Sequence, residues 1–399
     1  MNHFSFAALV LLVSAGTLSA QTPGHPWCLS HELSLEHLRQ QGIQGELAQY
    51  LPEPAGDFRG GGDPVIPVVF HIVWNTAQDN IPESTIQMML DQMNTDFSAS
   101  NPELANVRSA FTSSIGNAGI QFCLAQFDPF GNPATGIVRV QTTATWFSPS
   151  SQPHTMKQPP LGSSAWDPTR YLNIWVCDIV GTSGNIVSGY SYLPIGGMAG
   201  SWQDGLVIDA FHGTTQAART ATHEAGHYFG IRHPFDGNSC FTDDGFADTP
   251  NTDNPAWNCN NVNMQKCGLL TQFENFMDYS TCLAMFTNQQ ASYMQQILNG
   301  TRASLLNSTG CTGGGTSMTE EDQVRMKLYP NPATGQATLV LPEGTTGWAD
   351  VMDLQGRSVQ RTSLTGHTTV IPLNGLGAGA YVVKVQHTQG TVARRIVVE

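Results

Sequence analysis

The run His223-Glu224-Ala225-Gly226-His227-Tyr228-Phe229-Gly230-Ile231-Arg232-His233 has the form H-E-x-x-H-x-x-G-x-x-H. On a helix, His223 and His227 stand one turn apart on one face, so their imidazoles can grip a single metal ion with Glu224 beside them. Glycine takes the left-handed conformation without steric penalty, so Gly230 can end the helix and bring His233 back as a third ligand. Three histidines leave one tetrahedral position on zinc open, the arrangement of a catalytic site rather than a closed structural one. A water there is acidified toward a pKa of about 7, and Glu224 is placed to take its proton as it attacks a carbonyl. Short H-E-x-x-H matches also occur on ordinary amphipathic helices, but the further glycine and histidine make the long form a specific indication of zinc.

Such a site needs elements that hold it. Val65 to Trp74 is an unbroken apolar, β-branched run, as expected of a strand covered on both faces. A helix follows, with Pro82 near its first turn and Ile86, Met89, Leu90, Met93 and Phe97 at helical spacing. Further strands are expected over 120–127, 171–180 and 205–210, with a short edge strand over 188–193. Thr214 is the expected cap of the metal helix, whose Ala217, Ala218, Ala221 and Ala225 permit close packing on the sheet. After His233 the pattern is irregular through Cys282, and four cysteines crowd this long coil.

The chain has 399 residues, too many for one ordinary core, so two folded domains are expected. Its 40 Gly and 23 Pro point to many turns and strands, and its net charge of -14 argues against nucleic acid or an anionic membrane as partner. Residues 1–20 read as a signal peptide, with an apolar run from Phe4 to Val13 and a small residue at Ala20. That run is too short for the alternative, a membrane anchor, and no transmembrane segment is expected later. Eight cysteines behind a signal peptide suggest an oxidising compartment. Residues 21–59 carry one helical patch over 31–51 and end at Gly60-Gly61-Gly62, a protease-accessible linker. They read as a pro-segment, the alternative being a mobile N-terminal extension.

Within the irregular stretch lies Glu274-Asn275-Phe276-Met277-Asp278-Tyr279-Ser280. The extended histidine motif together with this segment resembles the metzincin peptidases, and N-F-M-D-Y-S is similar to the methionine turn of the pappalysin family. The likeness extends through Tyr171-Leu172-Asn173-Ile174-Trp175-Val176 and Asp248-Thr249-Pro250, and so covers about 65–310. It implies an α+β catalytic domain over 60–309, with a twisted sheet, a zinc helix and an irregular lower subdomain. It implies Met277 as an apolar floor under the metal and Tyr279 as a donor to the tetrahedral oxyanion. It also implies two crossed disulfides, Cys240 with Cys267 and Cys259 with Cys282. Asp244, Asp248 and Thr249 match the family's calcium loop, the alternative being solvated turn residues. Cys123 and Cys177 lie on apolar strands and are expected as buried thiols, or else as a bridge between the two. Cys28 resembles the family's cysteine switch, in which a pro-segment thiolate occupies the fourth zinc position; the alternative is a disulfide to Cys311.

Residues 310–325 are a Gly-, Ser- and Thr-rich linker, and beyond it the composition changes. Apolar or alternating runs over 337–341, 349–354, 369–373, 381–386 and 392–398 between glycine turns are expected to form a small C-terminal β-sandwich over 326–399. Tyr329-Pro330-Asn331-Pro332-Ala333-Thr334 and Gly379-Ala380-Tyr381-Val382-Val383-Lys384-Val385 resemble the C-terminal sorting domain of the type IX secretion system. That implies an export address read by the secretion machinery; an adhesion or carbohydrate-binding sandwich is the alternative. The expected protein is a secreted or surface-attached zinc endopeptidase acting on proteins or peptides. The competing reading is a secreted binding protein that keeps the domain without turnover, although no catalytic position is replaced.

Overall fold

The computed structural model describes residues 27–54, 63–181, 187–210, 214–311, 326–341, 347–353, 358–364, 366–387 and 390–399. The expected signal peptide, the Arg59 to Gly62 linker and the Thr214 cap lie outside the described residues and side chains.

The chain passes through Trp27–Cys28 (β1), Ser30–Gln40 (α1), Val65–Trp74 (β2), Glu83–Phe97 (α2), Ile115–Gly116 (β3), Gln121–Leu124 (β4) and Ile137–Gln141 (β5). It continues through Leu172–Cys177 (β6), Val187–Ser191 (β7), Leu206–Asp209 (β8) and Thr214–Tyr228 (α3). The main sheet has the order β1-β7-β8-β6-β2-β4, and β5 pairs with the second half of β2 where β4 stops. Only the β7–β8 pairing in it is antiparallel. β2 lies between neighbours on both edges, and every residue from Ile66 to Val73 is buried, which is why its sequence carries no polar alternation. The expected helix after Pro82 is α2, whose Ile86, Met89, Leu90, Met93 and Phe97 share one core with Ala221, Ala225, Tyr228 and Phe229 of α3. Strand β7 has no room for a side chain at position 189. A Cβ there would stand 2.7 Å from the Val207 carbonyl oxygen and 3.1 Å from Glu224 Cγ, so this glycine lets α3 lie close on the sheet.

Three local expectations need correction. The single helical patch over 31–51 is broken into α1 and one 3₁₀ turn, Leu47–Tyr50, because Gly42 at φ +74° turns the chain between them. The strand over 188–193 is not at the edge, since β1 adds beyond it in parallel. Cys123 is neither a thiol nor bonded to Cys177; it is bonded to Cys311. Strand β2 separates β4 from β6, so Cys123 and Cys177 are two strand spacings apart, roughly 9–10 Å, beyond disulfide reach. The chain near Cys311 instead runs beside β4, with the Gly310 carbonyl accepting from Gln126 N and Phe127 N.

Past α3 the segment to Cys282 holds only the two-residue strands Gln265–Lys266 (β9) and Leu269–Leu270 (β10). The structure closes it with Cys240–Cys267 and Cys259–Cys282, at separations of 27 and 23 residues. Loop-closure entropy makes each worth roughly 3 kcal/mol. Phe286–Thr287 (β11) then pairs with β3, and Asn288–Asn299 (α4) starts on a capping box made by Thr287 and Gln290.

The C-terminal unit is all β. It comprises Lys327–Tyr329 (β12), Gln336–Val340 (β13), Gly347–Met352 (β14), Ser358–Ser363 (β15), Thr368–Pro372 (β16), Gly379–His387 (β17) and Gly390–Val398 (β18). Sheets β12-β13-β16 and β15-β14-β17-β18 turn Leu339, Ile371, Val351, Val383 and Ile396 into one shared core. No helix among the described residues is long and apolar enough to cross a membrane.

Peptide mapping of the unreduced, alkylated protein is expected to recover the three bridges above, with label only on Cys28 and Cys177. A bridge between Cys240 and Cys259 would contradict the fold of the irregular segment.

Candidate active site

Helix α3 delivers His223 and His227 on one face, and its end is set by Gly230 at φ +89°, where Ile231 N returns to the Gly226 carbonyl. That turn carries His233 back beside them. Each imidazole is pinned through Nδ1: His223 lies 2.7 Å from the Phe276 carbonyl, His227 2.7 Å from the Ile231 carbonyl, and His233 3.0 Å from Asp236 Oδ1. All three partners accept, so each Nδ1 carries the proton and each Nε2 presents a lone pair. The Nε2 atoms stand 3.1 to 3.2 Å from one another. Three lone pairs facing one another at that distance repel unless a cation lies between them. Tetrahedral ligands at about 2.0–2.1 Å from zinc are about 3.3 Å apart, so the cluster fits that ion. Burial, and next the neighbouring His233, pull the His223 imidazole down to about 3, which keeps it a neutral donor.

Glu224 is fully buried beside the three rings, and burial raises its carboxyl to about 8. Its Oε1 has no hydrogen-bond partner. On the other side, the turn around Met277 is built by Asn275. The Asn275 amide donates to Gln272 Oε1 at 2.9 Å and Gln290 Oε1 at 3.0 Å, and its oxygen accepts from Met277 N at 2.9 Å. Met277 packs fully buried under α3, where a Cβ on Gly226 would meet its Sδ at 2.5 Å. The Tyr279 hydroxyl lies 3.2 Å from His233 Nε2, at the rim of the cluster. Glu274 anchors the same turn through Arg108, 2.6 Å away.

The N-terminal stretch enters this site. Strand β1 aligns Cys28 with Gly189 of β7, and Cys28 Sγ joins the nitrogens of His223, His227 and His233 in a group within 4.8 Å of one another. Cys28 is not bonded to Cys311, which is taken by Cys123. Burial, and next the charge of Glu224, push its thiol well above the usual value. Ser30 Oγ donates to Glu224 Oε2 at 2.9 Å and accepts from Ser191 N at 2.8 Å. His31 Nδ1 stands 3.0 Å from Asp236 Oδ2, at ion-pair distance. A cleft of about 440 Å³ opens next to Glu224, lined by Ser188, Thr220, Ser280 and Leu283 among others. Arg219 also reaches it, but its guanidinium is held by Asp96 at 3.0 Å and Glu103 at 2.7 Å.

The residues matched to a calcium loop take different partners. Thr249 Oγ1 donates to Asp244 Oδ1 at 2.7 Å, whereas Asp248 turns to the start of α4 and accepts from Thr287 Oγ1 at 2.7 Å and Gln289 N at 2.9 Å. Asp244 Oδ2 is buried without a hydrogen-bond partner. Ser30, Asn275 and Asp236 are the site residues that sequence reading missed. For Asp236 a signal existed, an acid one helical turn past the third histidine; for Ser30 there was none.

Residues 156–299 match the family model described as pregnancy-associated plasma protein-A, and residues 327–399 match that of a secretion system C-terminal sorting domain. Mature mirolysin of Tannerella forsythia in complex with a cleaved peptide is similar to this chain, with 34% identity and a TM-score of 0.57 over 62% of this chain and 97% of that one. A promirolysin mutant from the same organism is 31% identical, with a TM-score of 0.59 over 70% of this chain and 97% of that one. An extracellular metalloprotease of Colletotrichum graminicola is 27% identical over 319 residues, 74% of this chain and 97% of the relative.

Asn275→Ala leaves the buried Met277 N–H and the Gln272 side-chain carbonyl without their partner and takes one of two donors from Gln290 Oε1. It is expected to cost about 1–3 kcal/mol, read as a lower melting temperature. An unchanged melt would show that the turn does not depend on this amide.

Proposed function

The chain belongs to the pappalysin family of zinc metallopeptidases, and from that premise we propose that His223, His227 and His233 hold zinc while Glu224 is the general base and acid of peptide hydrolysis. The protein is a secreted metalloendopeptidase with a C-terminal sorting domain. Bound zinc supplies the Lewis acidity that acidifies a water and polarises the scissile carbonyl. Glu224 takes the proton of the attacking water and hands it to the leaving amine, and its burial suits both halves of that transfer. Tyr279, at the rim of the cluster, donates to the oxyanion, and Met277 floors the site. The observation that carries this reading is the convergence of three Nε2 lone pairs whose Nδ1 protons are all engaged elsewhere.

Latency belongs to the same proposal. Residues 21–59 act as a pro-segment behind a signal peptide at 1–20, the catalytic domain spans 60–309, and a linker over 310–325 leads to the sorting domain, whose partner is the type IX machinery. In the latent chain the Cys28 sulfur fills the fourth position of the metal site. The position of that sulfur among the three histidines supports this, as does the Ser30 hydroxyl on Glu224, which occupies the base as well.

Two variants test the proposal. Glu224→Ala should retain zinc and lose turnover of an unfolded protein substrate by several orders of magnitude, because the carboxylate moves protons and does not bind the ion. Loss of zinc from the folded variant would sink that role. Cys28→Ala should give a precursor with measurable activity before any cleavage near Arg59. If that precursor stays as silent as wild type, thiol coordination is not what holds the enzyme off.

A further inference from the structure

Two of the three imidazoles, His223 and His227, are oriented by backbone carbonyls, those of Phe276 and Ile231. The third, His233, is oriented by a side chain: Asp236 Oδ1 lies 3.0 Å from its Nδ1. Asp236 is 8% exposed, so its charge acts where water screens little. Its second oxygen stands 3.0 Å from His31 of the N-terminal stretch.

We propose that Asp236 is the positioning residue of the metal site, fixing the tautomer and orientation of His233, and that the pro-segment docks on the same carboxylate through His31. This rests on the reading that the three histidines hold zinc and that residues 21–59 are a pro-segment. A carboxylate behind a ligating histidine fixes which nitrogen is bare and raises its basicity, and losing such a partner weakens metal binding by roughly 10- to 100-fold. The carbonyls behind His223 and His227 orient as well as a carboxylate does but add no charge. Asp236 is therefore the one orienting group that a substitution can remove, and the one that also senses the N-terminal stretch. In the latent chain its two oxygens are divided between a metal-site histidine and the pro-segment; once the pro-segment leaves, His233 has the carboxylate to itself.

The test uses the full chain and zinc itself, with affinity read by competition against a chromophoric chelator and coordination read from the visible spectrum of the cobalt(II)-substituted protein. Asp236→Ala should bind zinc roughly 10- to 100-fold more weakly and shift the cobalt spectrum. Asp236→Asn, which keeps an acceptor without the charge, should fall between it and wild type and covers the case in which the alanine variant does not fold. A carboxylate with a merely structural role would lower the melting temperature of the metal-free chain and leave affinity and spectrum unmoved; that result overturns the proposal. His31→Gln should leave zinc affinity near wild type but let iodoacetamide reach Cys28 severalfold faster, since the docked state is weakened. An unchanged alkylation rate would remove His31 from the proposal. If the wild-type chain takes up no zinc at all, the reading of the three histidines fails, and not the role of Asp236 behind them.

Discussion

Three imidazoles held with their Nε2 lone pairs 3.1 to 3.2 Å apart are the constraint on which the rest of this structure depends. Left free in water the rings would turn away from one another. They are kept facing inward because each Nδ1 has an acceptor, and those acceptors come from three separate places: the carbonyl of Phe276, the carbonyl just past Gly230 and the carboxylate of Asp236. Correct placement of one ion therefore demands that α3, the turn at its end and the Met277 turn all be rigid relative to each other. The glycine at φ +89°, the amide cage of Asn275 and the seating of α3 against β7 at Gly189 each meet one part of that demand.

The N-terminal stretch exploits the same construction. Strand β7 would otherwise end the sheet with unpaired backbone groups, and β1 adds to it as an extra strand, a common way for an extended segment to dock. The four residues Cys28 to His31 then span the whole site, with Cys28 among the three histidines, Ser30 on Glu224 and His31 on Asp236. On the proposed reading, latency needs no distortion of the catalytic groups. The N-terminal stretch occupies those groups while the three Nε2 atoms stay together, so on that reading its release is what frees the site.

The lower part of the site stands without regular secondary structure. A segment of this length would have little to hold it by backbone ladders, and cross-links replace them: Cys240–Cys267, Cys259–Cys282, the Arg108–Glu274 ion pair and the contacts of Asp248 with the first turn of α4. Arg108 sits over the Phe273 ring, 3.7 Å from its centre, so the pair is shielded on one side by an aromatic face. These restraints converge on the turn that carries Met277 and Tyr279, which is why so irregular a stretch can still place a hydroxyl 3.2 Å from His233 Nε2.

What could be read from the amino-acid order alone was whatever depends on near neighbours. His223 and His227 share a face because four residues make about one turn, Gly230 ends the helix because only glycine enters that conformation cheaply, and β2 and α2 follow from runs of apolar side chains with strand and helix periods. The family resemblance extended this to Met277, Tyr279, the two crossed disulfides and the sorting domain. What only the tertiary structure decided was which distant segments lie side by side. Cys123 meets Cys311 and not Cys177 because β2 intervenes in the sheet, Ser30 reaches Glu224 because β1 pairs with β7, and Asp236 serves both His233 and His31. No periodicity encodes such meetings: they join residues far apart in the chain, 194 positions in the case of Ser30 and Glu224, and they follow from strand order and register.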